Sequence, residues 1–117
     1  MYEANYLNIL TALRQAHDNP NTRIGIYTRG AKDVNSLSDT IQQIVMDDKQ
    51  ISKSIKMMRR SYTITNDITF INGSYIRIAS IAESDRAQRF HVVLYDGVID
   101  EETEFHLKRR ETLQYFK

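Results

Sequence analysis

The chain of 117 residues contains no cysteine and no tryptophan, one proline and four glycines. Lack of cysteine excludes disulfides, thiolate zinc sites and thiol nucleophiles, and suits an intracellular setting, so a cytoplasmic location is expected. The scarcity of proline and glycine predicts few loops and no flexible linker, hence one domain over residues 1–117. No apolar run approaches the ~18 residues that span a bilayer. The N-terminal MYEANYLNIL lacks the basic segment and unbroken apolar stretch of a secretory signal. An excess of one charge is missing too. Sixteen basic residues face fifteen acidic ones, a net charge of +1, which argues against a whole-molecule polyanion binder and leaves local patches open. Several catalytic patterns are also absent: a Gly-x4-Gly-Lys-Ser/Thr phosphate loop, a Gly-x-Ser-x-Gly nucleophile elbow and a His-x3-His metal pair. No acidic run reproduces an EF-hand loop.

What is present is a pattern of helices and strands. Tyr6, Ile9, Leu10 and Leu13 make an apolar stripe at helical spacing, which predicts a helix over residues 2–17. Asn and Asp around Pro20 end it. RIGIYTR, residues 23–29, reads as a strand. A second helix follows, with Asp33, Asn35 and Ser36 as candidate caps and Leu37, Ile41, Ile44 and Val45 on one face. Ile51, Ile55 and Met58 suggest a short third helix within residues 49–60. From Ser61 the period becomes two. SYTIT reads as a strand, and ITFI and SYIRIASI as a hairpin around Asn72-Gly73. AESDRAQR reads as a polar loop. FHVVLYD is nearly all apolar, like a strand buried on both faces of a parallel sheet. Asp100 caps a last helix running to the C-terminus, with Phe105, Leu107, Leu113 and Phe116 as apolar contacts. The predicted fold is a single small α/β domain: a mixed sheet of four or five strands, partly parallel, with flanking helices.

Two segments carry a resemblance. ITFINGSYIRIASI, residues 68–81, contains an Asn-Gly-Ser motif, and RFHVVLYD, residues 89–96, is an apolar strand ending in Asp96. Their order resembles the ATPase domain of tailed-phage large terminases, the DNA-packaging motors, over about residues 4–105. The resemblance places Asp96 at the end of a Walker B strand. It also exposes two departures. The Walker A loop is missing; TRGAKD has the wrong spacing and no Ser or Thr after its lysine. Gly97 stands where the catalytic glutamate would follow. Without a phosphate cradle and a positioned base, little electrostatic stabilisation of phosphoryl transfer remains. The expectation is a non-catalytic, phage-type accessory or regulatory protein on a degenerate terminase-like scaffold, located in the host cytoplasm. The alternatives are a metal-dependent nuclease or nucleotide-binding enzyme using Asp96, or one piece of a split packaging ATPase.

The candidate residues follow. Asp96 with Glu101 and Glu102 could hold Mg²⁺ under the enzymatic alternative; otherwise Asp96-Gly97 is a turn, and the acids from Asp100 to Glu104 favour a helix N-terminus. His91 and His106 lack metal-pair spacing, and Ser74 reads as a turn residue. Lys53, Lys56, Arg59 and Arg60, beside Tyr62 and Met57-Met58, could form a surface for a protein partner or for DNA, extended by Arg77, Arg86 and Arg89. Lys108, Arg109 and Arg110 form a second basic cluster. No cofactor is expected apart from Mg²⁺ in the alternative.

Overall fold

The period-two segments pair into one mixed sheet in the computed structural model, which describes residues 1–60, 65–81, 88–111 and 113. The elements are β1 (Tyr2–Glu3), α1 (Tyr6–Asp18), β2 (Arg23–Thr28), α2 (Ala31–Asp47), α3 (Lys49–Ser54), β3 (Ile55–Arg60), β4 (Thr65–Phe70), β5 (Tyr75–Ser80), β6 (Val92–Asp96) and α4 (Glu101–Arg110). The strand order is β1-β6-β2-β5-β4-β3. β1, β6, β2 and β5 pair in parallel, and β4 and β3 extend the sheet antiparallel. The radius of gyration, 13.1 Å, is that of one domain of this length. The α/β fold class holds. Six strands replace the expected four or five, because β1 and β3 join the sheet.

Side-chain alternation sorts the core into two layers. On one face α1, α2 and α3 pack Leu13, Ile41 and Ile51 against Ile24, Ile68 and Ile76 of the strands. On the other face Leu107 of α4 lies in a smaller cluster with Tyr27, Ala79, Phe90, Val93 and Tyr95. Each fully buried side chain of this kind contributes about 1.5–3 kcal/mol. The central residues of β6 are therefore buried on both faces, as its apolar run implied. Among the described residues only part of the second face is covered. β4 and β5 alternate buried residues with half-buried Asp67, Thr69, Tyr75 and Arg77.

Gly25 shows how close the second layer lies. A Cβ there would meet the Phe90 ring and Tyr27 at 3.0 Å. The hairpin at Asn72-Gly73 forms as read: Gly73 has φ +87, and the Gly73 N–H donates to the Phe70 carbonyl at 3.1 Å.

Four local expectations are corrected. The first helix begins at Tyr6, because the Asn5 side chain accepts the Asn8 N–H at 2.8 Å and frees Tyr2–Glu3 to pair with β6. Its buried stripe is Ile9, Ala12, Leu13 and Ala16, while Tyr6 is 62% exposed. Small alanines face the sheet, where a tyrosine would hold the helix away. The second helix starts at Ala31 behind Gly30, so Asp33 lies in its first turn and Asn35 and Ser36 lie inside it. The third helix ends at Ser54. Asp48 accepts the Gln50 and Ile51 N–H groups to start it, and residues 55–60 then leave it to pair with β4. Helical spacing within residues 49–60 thus lost to a partner strand distant in sequence.

The last helix ends at Arg110. Asp100 caps it by accepting the Thr103 N–H at 2.7 Å, Leu107 is buried, and Phe105 is exposed rather than in the core. Residues 61–64 of SYTIT, most of AESDRAQR, and Phe116 lie outside the described residues. No helix among the described residues is long and apolar enough to cross a membrane.

Candidate functional site

Three regions gather the residues with chemical potential. The first is the carboxyl edge of the parallel strands. Asp96 ends β6 opposite Thr28 of β2, and Gly97 at φ +106 turns the chain away. The Arg29 guanidinium donates to the Val98 carbonyl at 2.8 Å, which ties the exit of β2 to this turn. Glu101 and Glu102 sit in the first turn of α4, where acids complement the helix dipole. Glu102 lies 3.8 Å from His106, and Glu104 pairs with Lys108 at 2.9 Å. The hydrogen bond from the Thr103 backbone holds the Asp100 carboxyl below its usual range. Asp96, Glu101 and Glu102 do not assemble into a ligand set: among the described residues no group of three His, Asp or Glu side chains could hold a metal ion. What they do is end a strand and begin a helix.

The second region is β3, the outer strand. Its register with β4 splits the basic residues between two faces. Arg59 lies in line with Asp67 and Arg77 on the partly open face. Arg60 points to the helical face, where it pairs with Asp39 at 2.6 Å and donates to the Gln42 side-chain oxygen Oε1 at 3.0 Å. Lys53 is exposed on α3 and Lys56 on β3. Met57 and Met58 are 52% and 38% exposed. Tyr62 and Arg86 lie outside the described residues. Arg77 belongs to a tight network: the Tyr75 hydroxyl donates to Asp67 at 2.6 Å, and the Arg77 Nε donates to the Tyr75 oxygen at 2.8 Å. Burial, followed by the hydrogen bond and charge of Asp67, pushes the Tyr75 phenol up to about 12. The Arg23 and Arg77 guanidiniums lie 5.4 and 5.9 Å from the Tyr75 ring centre.

The third region is a groove of about 430 Å³ beside α4, lined by Ile81, Arg89, Glu102, Thr103, His106, Arg109 and Arg110. It brings Arg89 together with α4, away from the β3 bases. Arg110 is 6% exposed, and its guanidinium sits 4.9 Å from the centre of the Tyr27 ring. In the sequence Arg110 stands in a basic cluster; in the fold it is buried. The signal was there: Arg110 follows Leu107 by three residues and so shares its buried side of the helix. The Arg23–Tyr75–Asp67 network carried no such local signal, since three different strands supply it.

His91 and Ser74 are structural. The His91 Nδ1 accepts the Arg23 N–H at 2.9 Å. Ser74 is fully buried; its hydroxyl accepts the Thr22 N–H at 3.1 Å and donates to the Asn19 carbonyl at 2.9 Å. In sequence and in fold the chain matches no protein-family model, no curated protein and no solved structure.

Proposed function

We propose that this chain is a non-catalytic, phage-type accessory or regulatory protein on a degenerate terminase-like scaffold, and that it binds a protein partner along its β3 edge. The edge itself carries this reading. Among the described residues β3 pairs only with β4 and closes one side of the sheet. Every residue from Lys56 to Arg60 is exposed. Lys56 and Arg59 supply exposed cations on β3 and Lys53 a further one on α3, with no acid in residues 53–60, while Arg60 is held by Asp39. An unpaired edge accepts an extended segment through main-chain hydrogen bonds, and bases beside it select an acidic one. Met57 and Met58 add an adaptable apolar contact. The terminase-like part of the proposal is supported by the Asn72-Gly73 hairpin leading into β5 and by Asp96 at the end of β6.

The test is titration of the chain with an extended acidic peptide and, separately, with duplex DNA. The expected result is peptide binding that weakens in a Lys56→Glu/Arg59→Glu variant, with no ATP turnover. DNA binding whose affinity falls steeply with salt would replace the protein partner by nucleic acid. ATP hydrolysis abolished by Asp96→Ala would overturn the non-catalytic assignment.

A further inference from the structure

The groove beside α4 holds a cation without a counter-ion among the described residues. Arg110 is more than nine-tenths buried, and its Nη1 has no hydrogen-bond partner. Among the described residues no carboxylate lies within ion-pair distance of it. Its neighbour Glu111 is engaged elsewhere, accepting the Val93 N–H at 2.7 Å and the Met1 amine at 2.9 Å. The Tyr27 ring supplies one contact, its centre 4.9 Å from the guanidinium. A buried charge without a partner is destabilising unless something neutralises it. Among the described residues the same groove is also lined by the Arg109 guanidinium and the His106 imidazole, with the carboxylate of Glu102. Arg109 also stacks on Phe105, 5.6 Å from the ring centre, on the outer side of the helix.

We infer that this groove binds an oxyanion of the phosphate class, with Arg110 as its anchoring donor. A guanidinium offers a planar fork that matches phosphate oxygens two at a time, and that of Arg110 lies against the Tyr27 ring. Arg109 and His106 stand at the wall as further donors. This site is independent of the β3 edge: it lies on another element and takes a small anion, not a peptide.

The experiment uses the full chain at constant ionic strength, with inorganic phosphate exchanged for chloride. A nucleoside monophosphate and its unphosphorylated nucleoside distinguish a free phosphate from one carried on a larger molecule. Phosphate raises the melting temperature, and the side-chain Nε–H signal of Arg110 shifts with saturation in heteronuclear NMR. The nucleoside alone has no effect. Arg110→Met, similar in volume and uncharged, is at least as stable as the native chain in chloride. It binds phosphate roughly tenfold or more weakly, as expected for one charge-assisted hydrogen-bonding partner. No phosphate-specific stabilisation of the native chain overturns the proposal, and so does a response that persists in Arg110→Met. If that variant does not fold, the native-chain NMR decides: an Arg110 signal unmoved by phosphate overturns the site.

Discussion

Replacing Asn72 by alanine tests whether the Asn-Gly-Ser motif is an architectural device. The Asn72 amide donates to the Ala16 and His17 carbonyls at 2.8 and 3.0 Å, both in the last turn of α1. Its side-chain oxygen accepts the Ser74 N–H at 2.9 Å. One side chain thus closes the hairpin and caps a helix from another part of the chain. Each hydrogen bond is worth about 1 kcal/mol net, and the freed carbonyls regain some water at this half-buried position. Asn72→Ala should therefore cost about 2–3 kcal/mol, a fall in melting temperature on the order of 10 °C for a chain of this size. Urea unfolding followed by circular dichroism measures it, with an unchanged m-value showing that the native state is intact. Asn72→Asp sharpens the test. It keeps the acceptor for Ser74 but sets a carboxylate against two carbonyls at the negative end of α1. It should be less stable than Asn72→Ala at neutral pH. That repulsion raises the carboxyl pKa in the folded state, so the deficit exists above the ordinary carboxylate range and is relieved as pH falls through it. A loss below about 0.5 kcal/mol for Asn72→Ala, the range of ordinary surface changes, would refute this reasoning.

Two further outcomes follow from the packing of the second face. Gly25→Ala forces a methyl against Phe90 and Tyr27 at 3.0 Å and should destabilise by about 1–3 kcal/mol. Adding Phe90→Leu should recover part of that loss, and additive costs in the double variant would show that the contact is not the cause. Tyr75 should ionise well above the ordinary phenol range, near pH 12. Its folded pKa lies above the unfolded value of 10.0, so its contribution to stability is complete below pH 10 and is lost as pH rises through about 12. The difference between ultraviolet titrations of the native chain and Tyr75→Phe reads this directly; a difference curve with its midpoint near the unshifted 10.0 would disprove the assignment.

Local signals in the sequence were sufficient where one short segment controls its own geometry. Asn72-Gly73 specified a hairpin because a tight turn needs a positive φ, which glycine supplies. FHVVLYD specified a doubly buried strand because only such a strand can be apolar on both sides. Asp100 was legible as a cap, since its carboxylate reaches an N–H only three residues away. The same locality explains the failures. Residues 49–60 fit a helix by spacing, and only the presence of β4 alongside turned their second half into a strand. Tyr6 looked like core until the sheet selected the alanine side of α1.

The candidate site divides in the same way. Composition alone established that the chain has no disulfide, no phosphate loop and a basic stretch free of acids at residues 53–60. Tertiary structure decided which of those bases share a surface: strand register sent Arg59 and Arg60 to opposite faces, because successive side chains of a strand alternate. It also decided that Arg110 is buried over Tyr27, because burial is set by how α4 crosses the sheet. Composition and local turn chemistry are fixed by neighbours in sequence. Charge pairing and solvent exposure are fixed by neighbours in space, and those exist only once the chain has folded.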